Sequence, residues 1–504
     1  MRKCLVALLA LVMVLAVAAC GNGNNNAADG VVRTDINLVV PQPFGTLDPH
    51  NMSLIVEHRA RVQIFESLLL HEDDGTLTPI LALSYDVCDD GVVYTFQIRQ
   101  GVTFHNGYAL TARDVAFSIE RAVDSPFMAN EVAMIESVAL IDNYTVAITA
   151  RSPFALFAAL VGSISIVSED HLLAAGDDII DNPVGTGPYM LYAFNRGVNL
   201  ELVSNPNHWA GSPRIERVNF RIITDMQTAL MAFEAGELDK ILAPPVNWAD
   251  LIAQDNWTTS AYSNLHITYF VFNHEVEPFT DVRVRQAINY AINREEMVLF
   301  AFEGLATPAY TMANTRFVFG ATDDVRVYEF NPDRARELLA EAGFPDGFTL
   351  PPILTIGGGT FEVATVTLQA HLREVGIIAD VEVREPAAFV ADMMAGNFTL
   401  GIMGRLTGFD MDLFREVYHT ERIDNNNMAR FSNPRVDELF EVGMITLDVE
   451  ARKEAYRELL QIVQEEAVYA PVIFGVDLVA HDRDLSMVQR ITTPFRVVEW
   501  YWTN

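Results

Sequence analysis

The sequence predicts an α/β protein with more than one hydrophobic core. Two patterns predict the class: apolar residues alternate with polar ones in some segments, and recur every three or four residues behind capping signals in others. A third observation sets the scale, since 504 residues with 50% hydrophobic content exceed what one core fills.

The elements follow in order. Arg2 and Lys3 precede Leu5 to Ala19, a run without a polar side chain. Its fifteen residues, at about 1.5 Å each in a helix, fall short of a ~30 Å hydrocarbon core, so residues 1–19 are expected to be an export signal and not a span. The ending Val17-Ala18-Ala19-Cys20 resembles a bacterial lipoprotein box. That resemblance implies Cys20 as the lipid attachment site, with a diacylglyceryl group supplying the two chains that stable anchoring takes. A soluble-secretion signal with Cys20 incidental is the alternative. Residues 20–32, rich in asparagine and glycine, are expected to be a flexible tether.

Tyr94, Phe96 and Ile98 alternate with Thr95, Gln97 and Arg99, the period of a half-buried strand. Asn106-Gly107 predicts a tight hairpin. Thr111 with Asp114 predicts a helix start, and Val115, Ile119 and Ala122 fall on one face of that helix. Farther on, Asn331 caps a helix with Pro332 at its first position, an inward stripe of Ala335, Leu338, Leu339 and Ala342, and Gly343 as its stop. Residues 353–356 read as a strand. Gly357 to Gly359 lead from it into a helix with Ala364, Leu368, Leu372 and Val375 inward. Tyr456, Leu459, Leu460 and Val463 mark a late helix ending before Pro471, and Val472 to Val479 read as a strand.

Composition narrows the function. A formal net charge of −33 repels phosphate backbones, so nucleic acid is not an expected partner. Of three cysteines, Cys4 lies in the leader and Cys20 in the lipoprotein-like box, which leaves Cys88 alone. Neither a disulfide framework nor a thiolate metal cluster is expected, and a buried apolar role is expected for Cys88. Gly185-Thr186-Gly187 precedes Pro188 without completing a dinucleotide fingerprint and reads as a turn into a strand. Gly357 to Gly359 could present free N–H groups to a ligand carboxylate, but no lysine follows to suit a nucleotide. Neither G-x-S-x-G nor H-E-x-x-H occurs. No cofactor is expected, and no enzyme.

The stretch GVVYTFQIRQGVTFHNGYALTARDVAFSIERA (91–122) is similar to the signature region of the family 5 extracytoplasmic solute-binding proteins, the peptide and nickel binders that feed ABC importers. Further segments resembling that family lie in order: TLDPH (46–50), PVGTGPY (183–189), NPNHWAG (205–211), AFEAGELD (232–239), VRQAINYAINREEMV (284–298), NPDRARELLAEAGF (331–344), LREVGI (372–377) and EEAVYAPV (465–472). The resemblance implies a two-lobed, type II periplasmic-binding-protein-like fold with mixed sheets and a hinged cleft between the lobes. It implies lobe I at 33–270, including an inserted subdomain at about 55–180, lobe II at 271–474, and a return to lobe I at 475–504. The crossings would lie near HITYFVFNH (266–274) and VIFGVDLVA (472–480).

By the same resemblance the ligand loop is GIMGRLTGFDMDLF (401–414), in which Gly408 and Phe409 occupy the first two positions of the Asp-Tyr-x-Asp-Pro-like run of peptide binders. Arg405, placed on a glycine-flanked loop, could hold a ligand carboxylate in a forked pair, or bridge to Asp410 or Asp412. Phe409 could stack on a ligand or pack into a core. Asp410 could receive a cation or cap local backbone. His50 and Asn51 follow the turn that lines the cleft in relatives, or else sit in a surface loop. Trp209 is a packing residue or a cleft residue. No metal site is expected, because the eleven histidines include no close pair at helical ligand spacing, and His419 stands out of register for the nickel branch.

The expected function is the capture of a small peptide or peptide-like solute by a monomeric lipoprotein on the extracytoplasmic face of the cell membrane, periplasmic where an outer membrane exists. The solute would pass to an ABC permease with its ATPase, and the membrane would be met through the lipid anchor alone. A receptor for a nickel chelate or another small solute is the alternative within the class. A tethered hydrolase, or a sensor or chaperone-like binder, is the alternative outside it.

Overall fold

The computed structural model describes residues 32–175, 180–491 and 495–503. The leader, Cys20 and the tether before residue 32 lie outside them. Among the described residues no helix is long and apolar enough to cross a membrane.

Lobe I is built on β1 (Asp35–Val40), whose Ile36, Leu38 and Val40 are buried at every second position. The helix α1 (Ile55–Ile64) lays Val56, Ala60 and Ile64 against the same core. A separate core then begins at Leu68, made by β2 (Ala82–Val87), β3 (Val93–Ile98), α2 (Ala112–Val123), β4 (Ile135–Asp142) and β5 (Thr145–Ala150). The four strands form one antiparallel sheet in the order β2-β3-β5-β4. The buried residues of this core run from Leu68 to Ile166, while α1 packs on the main core of the lobe.

Local chemistry accounts for the insertion's details. Gly107 takes φ +87°, and Phe104 and Tyr108 close the hairpin through a backbone bond of 2.8 Å. At the start of α2 the Asp114 carboxylate accepts from the Thr111 backbone N–H at 2.9 Å and from its hydroxyl at 3.0 Å. Cys88 departs from expectation. It is exposed in the turn between β2 and β3, with its thiol donating to Asp90 at 2.6 Å.

The main sheet continues with β6 (Tyr189–Asn195), β7 (Asn199–Ser204), β8 (Arg217–Ile222), β9 (Lys240–Leu242) and the long β10 (Trp257–Phe272). Lobe II adds α3 (Val282–Ala291), α4 (Pro332–Glu341), β11 (Ile353–Ile356), α5 (Gly359–Glu374), β12 (Val381–Arg384), β13 (Leu400–Leu406), α6 (Pro434–Ile445), α7 (Val449–Glu465) and β14 (Tyr469–Asp482). One mixed sheet runs through both lobes in the order β12-β11-β13-β10-β14-β9-β1-β8-β7-β6.

The strand β10 shows why the chain can pass between lobes. Its first half, WTTSAYS, pairs with β14 in lobe I and is mostly half-buried. Its second half, ITYFVF, is covered on both faces. Ile267, Tyr269 and Val271 face the core with α6 and α7, while Phe270 and Phe272 face the core with α3 and α5. The register breaks between Ser263 and Ile267. There Asn264 accepts from the His266 backbone at 3.0 Å and donates to Asp477 at 2.9 Å. Gly475 lies opposite on β14, where a Cβ would stand 2.7 Å from the Asn264 oxygen and displace it from these bonds.

The helix starts of lobe II match the sequence pattern. Asn331 accepts from the Arg334 N–H at 2.9 Å, and Ala364, Leu368 and Leu372 of α5 are fully buried.

Candidate functional site

The lobes enclose a cavity of about 750 Å³. Lobe I contributes His71, Asp74 to Leu77, Ala155, Leu156, Ala158 and Ala159, and lobe II contributes Thr315 to Ala321, Phe409, Asp410 and Arg452. Backbone contact closes one rim, where Ala155 N–H donates to Met444 O at 2.7 Å. A second cavity of about 330 Å³ shares His71 and Phe409 with the first. A third, of about 480 Å³, shares Arg61 and Val62 with the second. The three chambers therefore lie side by side, from lobe II to the crossing strands.

Phe409 divides the first two chambers. Its ring lies 4.9 Å from the His71 ring across the lobes, and its carbonyl accepts from Phe319 N–H at 2.7 Å. It is a partly exposed cleft residue and belongs to none of the described cores. Gly408 lies beside it, and a Cβ there would stand 1.9 Å from Leu413 Cδ1 and 2.9 Å from Leu413 Cβ. A side chain at Gly408 would therefore require Leu413, itself 39% exposed, to move aside.

Asp410 does receive a cation, but one from the protein itself. It is 4% exposed, and both its oxygens accept from Arg452, at 2.6 and 2.7 Å. It also accepts from the Asp412 N–H at 2.9 Å, so it caps backbone as well. Arg452 further donates to Gly443 O at 2.8 Å and to the Tyr456 hydroxyl at 3.0 Å, which fixes its planar fork. Burial raises the Asp410 carboxyl, and the facing guanidinium opposes that rise.

Arg405 lies on strand β13, in register with Ile267, and not on a loop. Its Nε donates to Leu406 O at 3.4 Å. Among the described residues it forms no salt bridge with Asp410 or Asp412, because Arg452 already occupies the former and Arg415 is the arginine nearest the latter. It lines none of the three chambers.

Trp209 does line the second chamber. Its indole N–H donates to Glu66 at 3.0 Å, and Glu66 also accepts from Thr186 at 2.9 Å and faces His208 at 3.1 Å. The Arg99 guanidinium sits 4.0 Å above the indole ring, so packing and cleft lining coincide in this residue.

His50 and Asn51 line no chamber. His50 is 0% exposed, its imidazole fixed between Ser165 O at 2.8 Å and Arg121 at 2.8 Å. Burial lowers its pKa to about 4. Asn51 donates to Asp48 at 2.7 Å, and Arg121 binds the same carboxylate. The turn is a structural anchor for α2, neither cleft wall nor free loop. His419 is buried beside Asp437 at 3.8 Å and also lies outside the cleft. Among the described residues no group of three His, Cys, Asp or Glu side chains could hold a metal ion.

Sequence reasoning missed the cleft residues His71, Phe319 and Arg452, and the cations Arg59 and Lys240 of the third chamber. Only Lys240 carried a signal, as one of three lysines in the chain.

Residues 76–423 match the family described as bacterial extracellular solute-binding proteins, family 5 Middle. Heme-binding protein A of Haemophilus influenzae is 28% identical over 449 residues, 82% of each chain. Glutathione-binding protein GsiB of Salmonella paratyphi A is 27% identical over 487 residues, covering 93% of this chain and 95% of that one. The solved structure of HbpA2 from Haemophilus parasuis superposes with a TM-score of 0.85 at 25% identity, over 93% of this chain and 99% of that one.

Proposed function

The chain belongs to the family 5 bacterial extracellular solute-binding proteins, and from that premise we propose that its cleft captures a small peptide or peptide-like solute for delivery to an ABC permease with its ATPase. The observation that carries this reading is the cleft itself, whose largest chamber falls within the range of ~300–1,000 Å³ usual for small-molecule sites and is walled by both lobes. Two strands join the lobes, and one of them breaks register at the junction. Closure about that junction would be favoured by as much as the solute binds the closed form better than the open one.

The peptide-like assignment draws support from the glutathione-binding relative, glutathione being a tripeptide. Cys88, the cysteine weighed for a hydrolytic alternative, lines none of the three chambers. In this reading the leader is removed and Cys20 carries lipid, so that a monomer is held at the extracytoplasmic face of the membrane by that anchor alone.

The test is native mass spectrometry of freshly purified protein, followed by small-angle scattering with glutathione and a library of di- to pentapeptides. A retained peptide mass and a smaller radius of gyration on saturation are expected. Unchanged scattering across the library, or retention of nickel with an organic chelator, would overturn the peptide assignment.

A further inference from the structure

We propose that the third chamber is a carboxylate subsite built on Lys240 and Arg59, so that the captured solute is an anion seated with its acid group in lobe I. The proposal deepens the solute-binding reading and rests on it.

Strand β9 places the lysine. It is wedged between β1, through Leu38 opposite Lys240, and β14, through His481 opposite Lys240. Alternation sends Ile241 into the core with Phe233 and Trp248, while Lys240 and Leu242 face the chamber. Lys240 is 3% exposed, and its Nζ has no hydrogen-bond partner. The ammonium rests 4.0 Å from the centroid of the Phe495 ring and 5.1 Å from that of Trp500. Ring faces attract a cation but satisfy none of its three N–H donors.

The neighbours repeat the pattern. Arg59 places its guanidinium 4.3 Å from the Phe495 ring and donates to Val39 O at 3.3 Å, a neutral acceptor. Arg61 also lines the chamber. His58 stands at the mouth. The carboxylate lining the chamber is Asp477, which is engaged by Asn264 at 2.9 Å. Lys240 and Arg59 thus share the chamber with one carboxylate that Asn264 already engages, in a chain of net charge −33. Buried charge of one sign normally has a counter-charge, and here the chamber has room for it to arrive with a ligand.

A second orphan refines the ligand. The buried Gln489 side-chain oxygen lines the same chamber without a hydrogen-bond donor. A carboxylate flanked by an amide N–H, the arrangement at the C-terminus of a peptide, meets both needs: the acid faces the cations and the N–H faces Gln489. Burial, with the charge of Arg59, lowers Lys240 to about 7, and an arriving anion would draw it back up.

Lysine labelling makes this testable, because removal of the leader leaves Lys240 and Lys453 as the lysines of the mature chain. The mature protein carrying 13Cε-lysine is titrated with N-acetylalanine, with its neutral methylamide, with inorganic phosphate and with glutathione. The expected result is a Lys240 signal that moves with N-acetylalanine and glutathione, its titration midpoint rising by at least one pH unit, while the methylamide leaves it unmoved. Lys240→Met should weaken glutathione binding at least tenfold and leave binding of the glutathione diester unchanged. Methionine suits the buried position, and an unchanged circular dichroism spectrum verifies folding. A Lys240 signal unmoved by every carboxylate, or equal glutathione affinity in the variant, overturns the subsite. Phosphate acting at lower concentration than N-acetylalanine overturns the carboxylate assignment. A response to N-acetylalanine without any peptide binding supports the subsite and removes the peptide reading.

Discussion

The two ends of the cleft hold charge in opposite ways. In lobe II the buried cation and anion of the cleft wall are each other's partners, since Arg452 binds both oxygens of Asp410. In lobe I, Lys240 and Arg59 face one chamber that offers a single carboxylate. A closed ion pair spends its electrostatics internally and can give a ligand only shape and rigidity. Cations without carboxylate partners can distinguish a charged ligand from a neutral one. On this comparison lobe II shapes the pocket and lobe I reads the solute's charge.

The largest effect should come from breaking the lobe II pair. Arg452→Met leaves Asp410 buried and uncompensated, and the expected loss of stability is about 3–5 kcal/mol by denaturant unfolding. The double variant with Asp410→Asn should recover most of it. A loss below about 1 kcal/mol would mean that the pair is not the closed unit the comparison requires.

A smaller effect, of opposite sign, is expected at the other end. Lys240 has its folded pKa lowered to about 7, against an unfolded value of 10.5. Below pH 7 both states bind the proton, and the cost of burying the charge is carried in full. Between about pH 7 and 10 the folded state releases a proton that the unfolded chain retains, so stability should rise with pH in that window. Lys240→Met should flatten this rise and stabilise the protein at pH 6.5 by on the order of 2 kcal/mol. A variant less stable than the parent at that pH would show that the lysine is already compensated and remove the contrast between the lobes.

The sequence made the scaffold legible where one local rule decides the outcome. The Thr111–Asp114 cap, the hairpin at Gly107 and the stripe Ala364, Leu368, Leu372 each depend on neighbours a few residues away. The site was less legible, because its partners come from distant segments. Nothing near Asp410 in the chain announces Arg452, 42 residues on. Arg405 was expected on a loop because glycines flank it, but β10 draws residues 400–406 into the sheet as β13. His50 has the composition of a cleft residue, and only the packing of Ser165 and Arg121 around it shows an anchor. Cys88, expected in a core, lies in a turn whose geometry its thiol helps to hold.

The smallest expected effect concerns what lobe II leaves unbalanced. Asp412 is 8% exposed, one of its oxygens has no hydrogen-bond partner, and Arg415 stands 3.9 Å away. Burial pushes its carboxyl up to about 6, the charge of Arg415 opposes that rise, and the nearby Asp410 adds to it. The folded state therefore takes up a proton as pH falls from about 6 toward 4, where the unfolded carboxyl is still ionised, so this group adds stability on acidification and withholds it above pH 6. Asp412→Asn should abolish that increment and stabilise the protein at pH 8 by on the order of 1 kcal/mol. If the two ends act separately, the same variant should leave the response of Lys240 to N-acetylalanine unchanged. A shifted midpoint would show that the leftover anion in lobe II and the leftover cations in lobe I act across the cleft on each other. The charge of the solute would then be read by both walls together.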